Sequence, residues 1–173
     1  GLNRFDPRTE KFKTWMHNDT IKHSISTNTI SAICPGRDQT LWLTSNKGLI
    51  HFDYAHQSFK SFEHDDKDST TLSGNGLNSL LADGDQLWIG TFGKGINIFN
   101  TKSGKITRLK KFSTGAIPDN KDYVHDIIKY NDTLIIALTD LGLIGINPFT
   151  LNETILLDTI DGLHCIKDET GWL

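Results

Sequence analysis

With 173 residues, 36% of them hydrophobic and 23% charged, the chain is long enough to bury a core and too apolar for intrinsic disorder. A formal charge of -3 gives no basic footprint for nucleic acid. The longest clean apolar run, residues 134–138, is far too short to cross a bilayer, so this segment is not expected to insert into a membrane.

Reading along the chain, glycine returns at a fixed interval: Gly1, Gly48, Gly95 and Gly142 are 47 residues apart. Each opens a similar hexapeptide that ends in Asp or Asn, at Asp6, Asp53, Asn100 and Asn147. The period holds elsewhere. Ser26, Asn28, Ile30 and Ile33 answer to Ser73, Asn75, Leu77 and Leu80, and then to Asn120, Asp122, Val124 and Ile127. Residues 41–45 (LWLTS) answer to 87–91 (LWIGT) and to 134–138 (LIIAL), with a slip of one residue in the first copy. On this alignment Ile135 takes the place of the tryptophan.

Within one unit the β-branched and aromatic runs, punctuated by Gly, Asn and Asp, predict four short strands at 29–34, 41–44, 49–53 and 59–62. The recurrent glycine fits a turn of positive φ between the second and third strands. Four short strands repeated about every 40 to 50 residues predict an all-β fold, a β-propeller built of four-stranded antiparallel blades. A linear β-solenoid is the alternative, but its coils are usually shorter, roughly 20 to 30 residues. Full blades are expected at 25–62, 72–109 and 120–157. Residues 1–16 form the end of one blade and 161–173 the start of another, so remaining blades of the same chain are expected partners.

These motifs resemble the two-component regulator propeller repeat. That family's blades run as S-L-S-x-N-x-I-x-x-I, then L-W-I-G-T, then G-G-L-x-x-F-D. Here they are matched by residues 72–77 (LSGNGL) with Leu80, then 87–91, then 94–100 (KGINIFN), and one blade earlier by 25–30 and 41–45. The resemblance covers essentially the whole chain. It implies the periplasmic sensor region of a hybrid two-component system, anchored in the cytoplasmic membrane and working as a homodimer. Such a region would recognise an oligosaccharide or other small ligand and signal to a histidine kinase. It implies neither catalysis by this segment nor a cofactor. A protein-interaction scaffold and part of a propeller glycosidase or lyase are the alternatives. An enzyme would need carboxylates paired near the axis. Among the aligned first-strand positions Asp126 is acidic, whereas Ser79 and Ala32 stand in the neighbouring blades.

Several repeated residues have competing readings. Trp42 and Trp88 could be sugar platforms, but an aromatic repeated once per blade is expected to fill the gap between blades. Asn28, Asn75, Asp122 and Asp161 are expected to build turns through their own backbone. His17-Asn18-Asp19 and His64-Asp65-Asp66 lie one blade apart and should not converge on a metal. Ser31, Asn78, His125 and His164 form a polar position on the innermost strand and are expected to face the central channel. Cys34 and Cys165, three blades apart, should form no bridge. The long polar loops 15–28 and 62–75 are expected on the same face as the turns near Lys47 and Lys94. On that face His64, Asp66 and Lys94, with His125 at the channel mouth, are the candidate ligand-binding residues.

Overall fold

The computed structural model describes residues 1–109 and 123–157. Every regular element among them is a strand. A hairpin of β1 (Leu2–Asp6) and β2 (Lys11–Trp15) comes first. Three four-stranded antiparallel meanders follow. Blade 1 contains β3 (Ile30–Pro35), β4 (Thr40–Ser45), β5 (Gly48–Asp53) and β6 (Ser58–Phe62). Blade 2 contains β7 (Leu77–Asp83), β8 (Gln86–Thr91), β9 (Ile96–Asn100) and β10 (Ile106–Leu109). Blade 3 contains β11 (Val124–Asn131), β12 (Leu134–Thr139), β13 (Gly142–Ile146) and β14 (Glu153–Leu157).

The core lies between blades. Alternation along a strand sends successive side chains to opposite faces, and in β8 both faces are apolar. Leu87 and Ile89 pack back onto blade 1, with Cys34, Trp42 and Leu49. Trp88 packs forward onto Val124, Ile127, Ile135 and Ile144 of blade 3. Trp42 does the same one blade earlier, its ring 5.2 Å from that of Phe99. Both tryptophans are buried and fill the inter-blade gap, as their repetition predicted. Gly90 belongs to the same interface: a Cβ there would lie 2.7 Å from a Val124 methyl and closer still to Ser79 Oγ.

The turn between the second and third strands is stapled alike in each blade. Ser45, Thr91 and Thr139 are fully buried, and their hydroxyls donate to the carbonyls of Gly48, Gly95 and Gly142 at 2.8, 2.7 and 3.1 Å. Those glycines have φ of 104°, 68° and 113°, the positive values that the repeat predicted. A Cβ at Gly48 or Gly95 would also collide with the carbonyl oxygen of Phe62 or Leu109.

The register corrects the alignment of blade 3. Cys34 pairs with Trp42 and Leu81 with Trp88, while Ile128 pairs with Ile136. Ile136, not Ile135, therefore stands in the tryptophan's place, and Thr139 keeps the buried hydroxyl. Blades 1 and 3 are in phase, and the slip belongs to blade 2. Its Thr91–Gly95 turn holds three residues between hydroxyl and glycine, where Ser45–Gly48 and Thr139–Gly142 hold two.

Cys34 is a free thiol at the blade 1–blade 2 interface, and burial pushes its pKa up to about 11. The reading that it forms no bridge with Cys165 falls on a residue outside those described.

Candidate functional site

The loops 15–28 and 62–75 lie on the same face as the turns of the blades they enter. Thr27 Oγ1 donates to Asn46 Oδ1 at 3.0 Å, and Ser73 Oγ donates to the Lys94 carbonyl at 3.3 Å. The Gly48 N–H donates to the Asn75 carbonyl at 2.9 Å, and the Phe92 N–H to the Gly76 carbonyl at 3.0 Å.

Two of the four candidate residues hold the second loop together. The His64 N–H donates to Asn75 Oδ1 at 2.7 Å, and its Nδ1 donates to the Leu72 carbonyl at 2.5 Å. Its Nε2 lies 2.8 Å from Asp66 Oδ1. His17 makes the same three bonds, to Asn28, Ile25 and Asp19, at 2.7, 2.7 and 2.9 Å. The His-x-Asp pattern is thus a loop clasp repeated in both loops. Asn28 and Asn75 accept from a backbone eleven residues earlier, rather than from their own turn two residues on. Among the described residues no group of three His, Cys, Asp or Glu side chains is disposed to hold a metal ion.

The polar position on the innermost strand has a cause that the sequence hid. Ser31, Asn78 and His125 fall at a β-bulge, between Ile30 and Ala32, Leu77 and Ser79, and Val124 and Asp126. A bulge adds an unpaired residue and re-aims its side chain. Asn78 was expected to meet channel water; its Nδ2 instead donates to the carbonyls of Val124 and His125, at 3.2 and 3.1 Å. His125 Nε2 donates to Asp140 Oδ1 at 2.7 Å, both side chains being about one-third exposed. His164 lies outside the described residues.

The structure therefore pairs His64 with Asp66 and links Lys94 to the same loop through Ser73. It sets His125 apart, with Asp140. Between these groups lie two aromatic residues that the motif search passed over. Phe92 and Tyr123 are 45% and 36% exposed, in an edge-on pair with centroids 6.1 Å apart. Phe92 is present because the blade 2 turn has one residue more than its counterparts, and its ring packs over Gly76. The slip in the repeat was the available signal. The face thus offers an exposed aromatic pair flanked by the Lys94 side chain and the His125–Asp140 pair, a set suited to stacking on a ring and hydrogen bonding at its rim.

No family model matches the sequence, and no curated protein does. Solved structures do. The extracellular domain of a protein assigned as the hybrid two-component system BT3049 of B. thetaiotaomicron aligns over 99% of this chain, with a TM-score of 0.77 and 22% identity. Two structures of the extracellular domain of BT4673 from the same organism align over 99% of the chain. They are assigned as a one-component and a hybrid two-component system, with TM-scores of 0.69 and 0.71 and identities of 24% and 19%. The chain is a β-propeller segment. It spans about a quarter of the chains it matches, 24%, 25% and 21%.

Proposed function

We propose that this propeller segment is part of the extracytoplasmic sensor of a membrane-anchored hybrid two-component regulator. It binds an oligosaccharide or other small ligand on its loop face and signals across the membrane to a histidine kinase. The observation that carries this reading is the alignment, over 99% of the chain, with extracellular domains of B. thetaiotaomicron signalling systems. In this reading the protein resides in the periplasm, acts as a homodimer and controls transcription, and this segment performs no chemistry.

The site geometry supports the ligand class. Phe92 and Tyr123 supply stacking surface at the mouth of the face, where His125, Asp140 and Lys94 can meet hydroxyl groups. His64 and Asp66 act in this scheme by fixing the loop that carries Ser73 against the Lys94 turn. The test is calorimetric titration of the intact protein against host and dietary oligosaccharides. A binding glycan should lose about fivefold or more in affinity with Phe92→Ala or His125→Ala, since stacking and charge-assisted bonds are each worth roughly 1 kcal/mol or more. Unchanged affinity in both variants would remove the loop face from the model and leave the sensor reading in place.

A further inference from the structure

On the opposite face, between blades 2 and 3, lies a groove of about 580 Å³. Its floor is residues 83–86 and Asn100 of blade 2, and its wall is Lys129, Asp132, Pro148 and Phe149 of blade 3. Nothing in the sensing proposal uses it. We propose that this groove is a second binding site, for a neutral saccharide.

Three observations carry it. The first is a difference between neighbouring blades. In blade 2 Lys102 pairs with Asp85 at 2.7 Å. In the strand register the equivalent residues in blade 3 are Phe149 and Thr133. Where blade 2 has an ion pair, blade 3 presents an aromatic ring that is 76% exposed, beside the Asp132 carboxylate, which is 91% exposed and held by Lys129.

The second observation is rigidity. The turn that carries Phe149 is fastened by Asn147: its Oδ1 accepts the N–H groups of Phe149 and Thr150 at 2.9 and 3.0 Å. Its carbonyl accepts the N–H of Leu151 at 2.8 Å. An outward aromatic on a fixed turn loses little freedom on binding.

The third is charge balance. Lys129 Nζ sits 2.8 Å from Asp83 and 3.0 Å from Asp132. Asp85 is shared by Lys102 and Arg37. The charges around the groove neutralise one another, which disfavours a phosphate or a free cation. What remains is a set of polarised acceptors and donors beside an aromatic face and the amides of Gln86 and Asn100. Sugar rings present an apolar C–H face and a rim of hydroxyls, and this arrangement matches both.

The test is saturation-transfer NMR on the full chain carrying Phe92→Ala and His125→Ala, which disable the loop-face site, with maltotriose, cellotriose, mannotriose and laminaritriose, and trigalacturonate as a charged control. At least one neutral trisaccharide should show transfer in that background. Adding Phe149→Ala should cut it at least about fivefold while leaving the fold intact, because the side chain is exposed. Adding Phe149→Tyr instead should keep it. Absence of transfer from all four in the loop-face double variant, equal transfer with trigalacturonate, or full transfer after Phe149→Ala is added would overturn the proposal. Transfer present in the parent chain and absent in the loop-face double variant would support the loop-face site and sink this one, so the two readings fail separately.

Discussion

The loops 15–28 and 62–75 share one clasp and differ in how that clasp is tied to the blade behind it. In both, a histidine bridges the ends of the loop and a fully buried apolar residue, Ile25 or Leu72, plugs the inter-blade gap. The second loop has further anchors. Asn97, fully buried, accepts the Ser73 N–H at 3.0 Å and donates to Ser73 Oγ at 2.9 Å. Arg108 donates to the carbonyls of Thr71 and Leu72, both at 2.8 Å, and to that of Asp68 at 3.2 Å. One period earlier these positions are Ile50 and Ser61. The first loop shows the consequence: Ser26 Oγ, the counterpart of Ser73 Oγ, is buried with no partner among the described residues. Apolar plugging is enough to place a loop, whereas polar anchoring fixes its backbone. The fixed loop is the one beside Phe92 and Lys94.

If the plug is the shared element, its removal should cost both loops alike. Ile25→Ala and Leu72→Ala should each destabilise by about 2 to 5 kcal/mol in denaturant melts. A cost confined to one of them would mean that the plugs are not equivalent. The anchors should separate the loops. Asn97→Ala orphans the Ser73 N–H and removes the donor to its hydroxyl, which keeps its bond to the Lys94 carbonyl, and should cost roughly 1 to 3 kcal/mol. Ser26→Ala removes a hydroxyl that is already unpaired and should be neutral or stabilising by up to about 1 kcal/mol. Equal losses in these two variants would erase the distinction drawn between the loops.

The sequence showed the blades because each repeat must fill the same gap: Trp42, Trp88 and the turn glycines recur for packing reasons that periodicity exposes. It misplaced blade 3 by one residue, because Leu134 imitates Leu87 in composition while the buried Thr139 hydroxyl decides the register. The candidate site was less legible. His64 and Asp66 drew notice as polar residues in a long loop, yet their bonds close that loop. Phe92 and Tyr123 went unnoticed because an exposed aromatic has no period. Likewise, a polar residue at a bulge cannot be told in sequence from one facing a channel, since a bulge changes direction without changing composition.

A smaller effect tests the Arg108 anchor. Arg108→Met keeps the aliphatic stem and removes the donors to the carbonyls of the second loop. The global loss should be about 1 to 2 kcal/mol, as for charge-assisted bonds that are partly exposed. Amide exchange should quicken across residues 68–72 and stay unchanged across 21–25. If exchange quickens in both loops, Arg108 braces the whole blade stack.

The smallest expected difference is one of acid response. The first loop closes an Asx turn with an amide: Asn18 Oδ1 accepts the Thr20 N–H at 2.9 Å and the Thr20 hydroxyl at 2.7 Å. The second has a similar turn closed by a carboxylate: Asp68 Oδ1 accepts the Thr70 N–H at 2.8 Å and the Thr70 hydroxyl at 2.6 Å. The Thr70 hydroxyl, then its N–H, then Arg108 draw the Asp68 pKa below its ordinary 3.8. A carboxyl whose pKa is lowered by folding contributes stability that is present above its unfolded value and fades as pH falls through the folded one. The Thr70 amide resonance should therefore shift with a midpoint below 3.8, as the carboxylate bond is lost on protonation. Asn18 has no proton to gain there, so the Thr20 amide should show no matching step. Asp68→Asn should abolish the Thr70 step. A Thr70 midpoint at or above the ordinary carboxylate value would mean that the bond to Asp68 does not hold in solution.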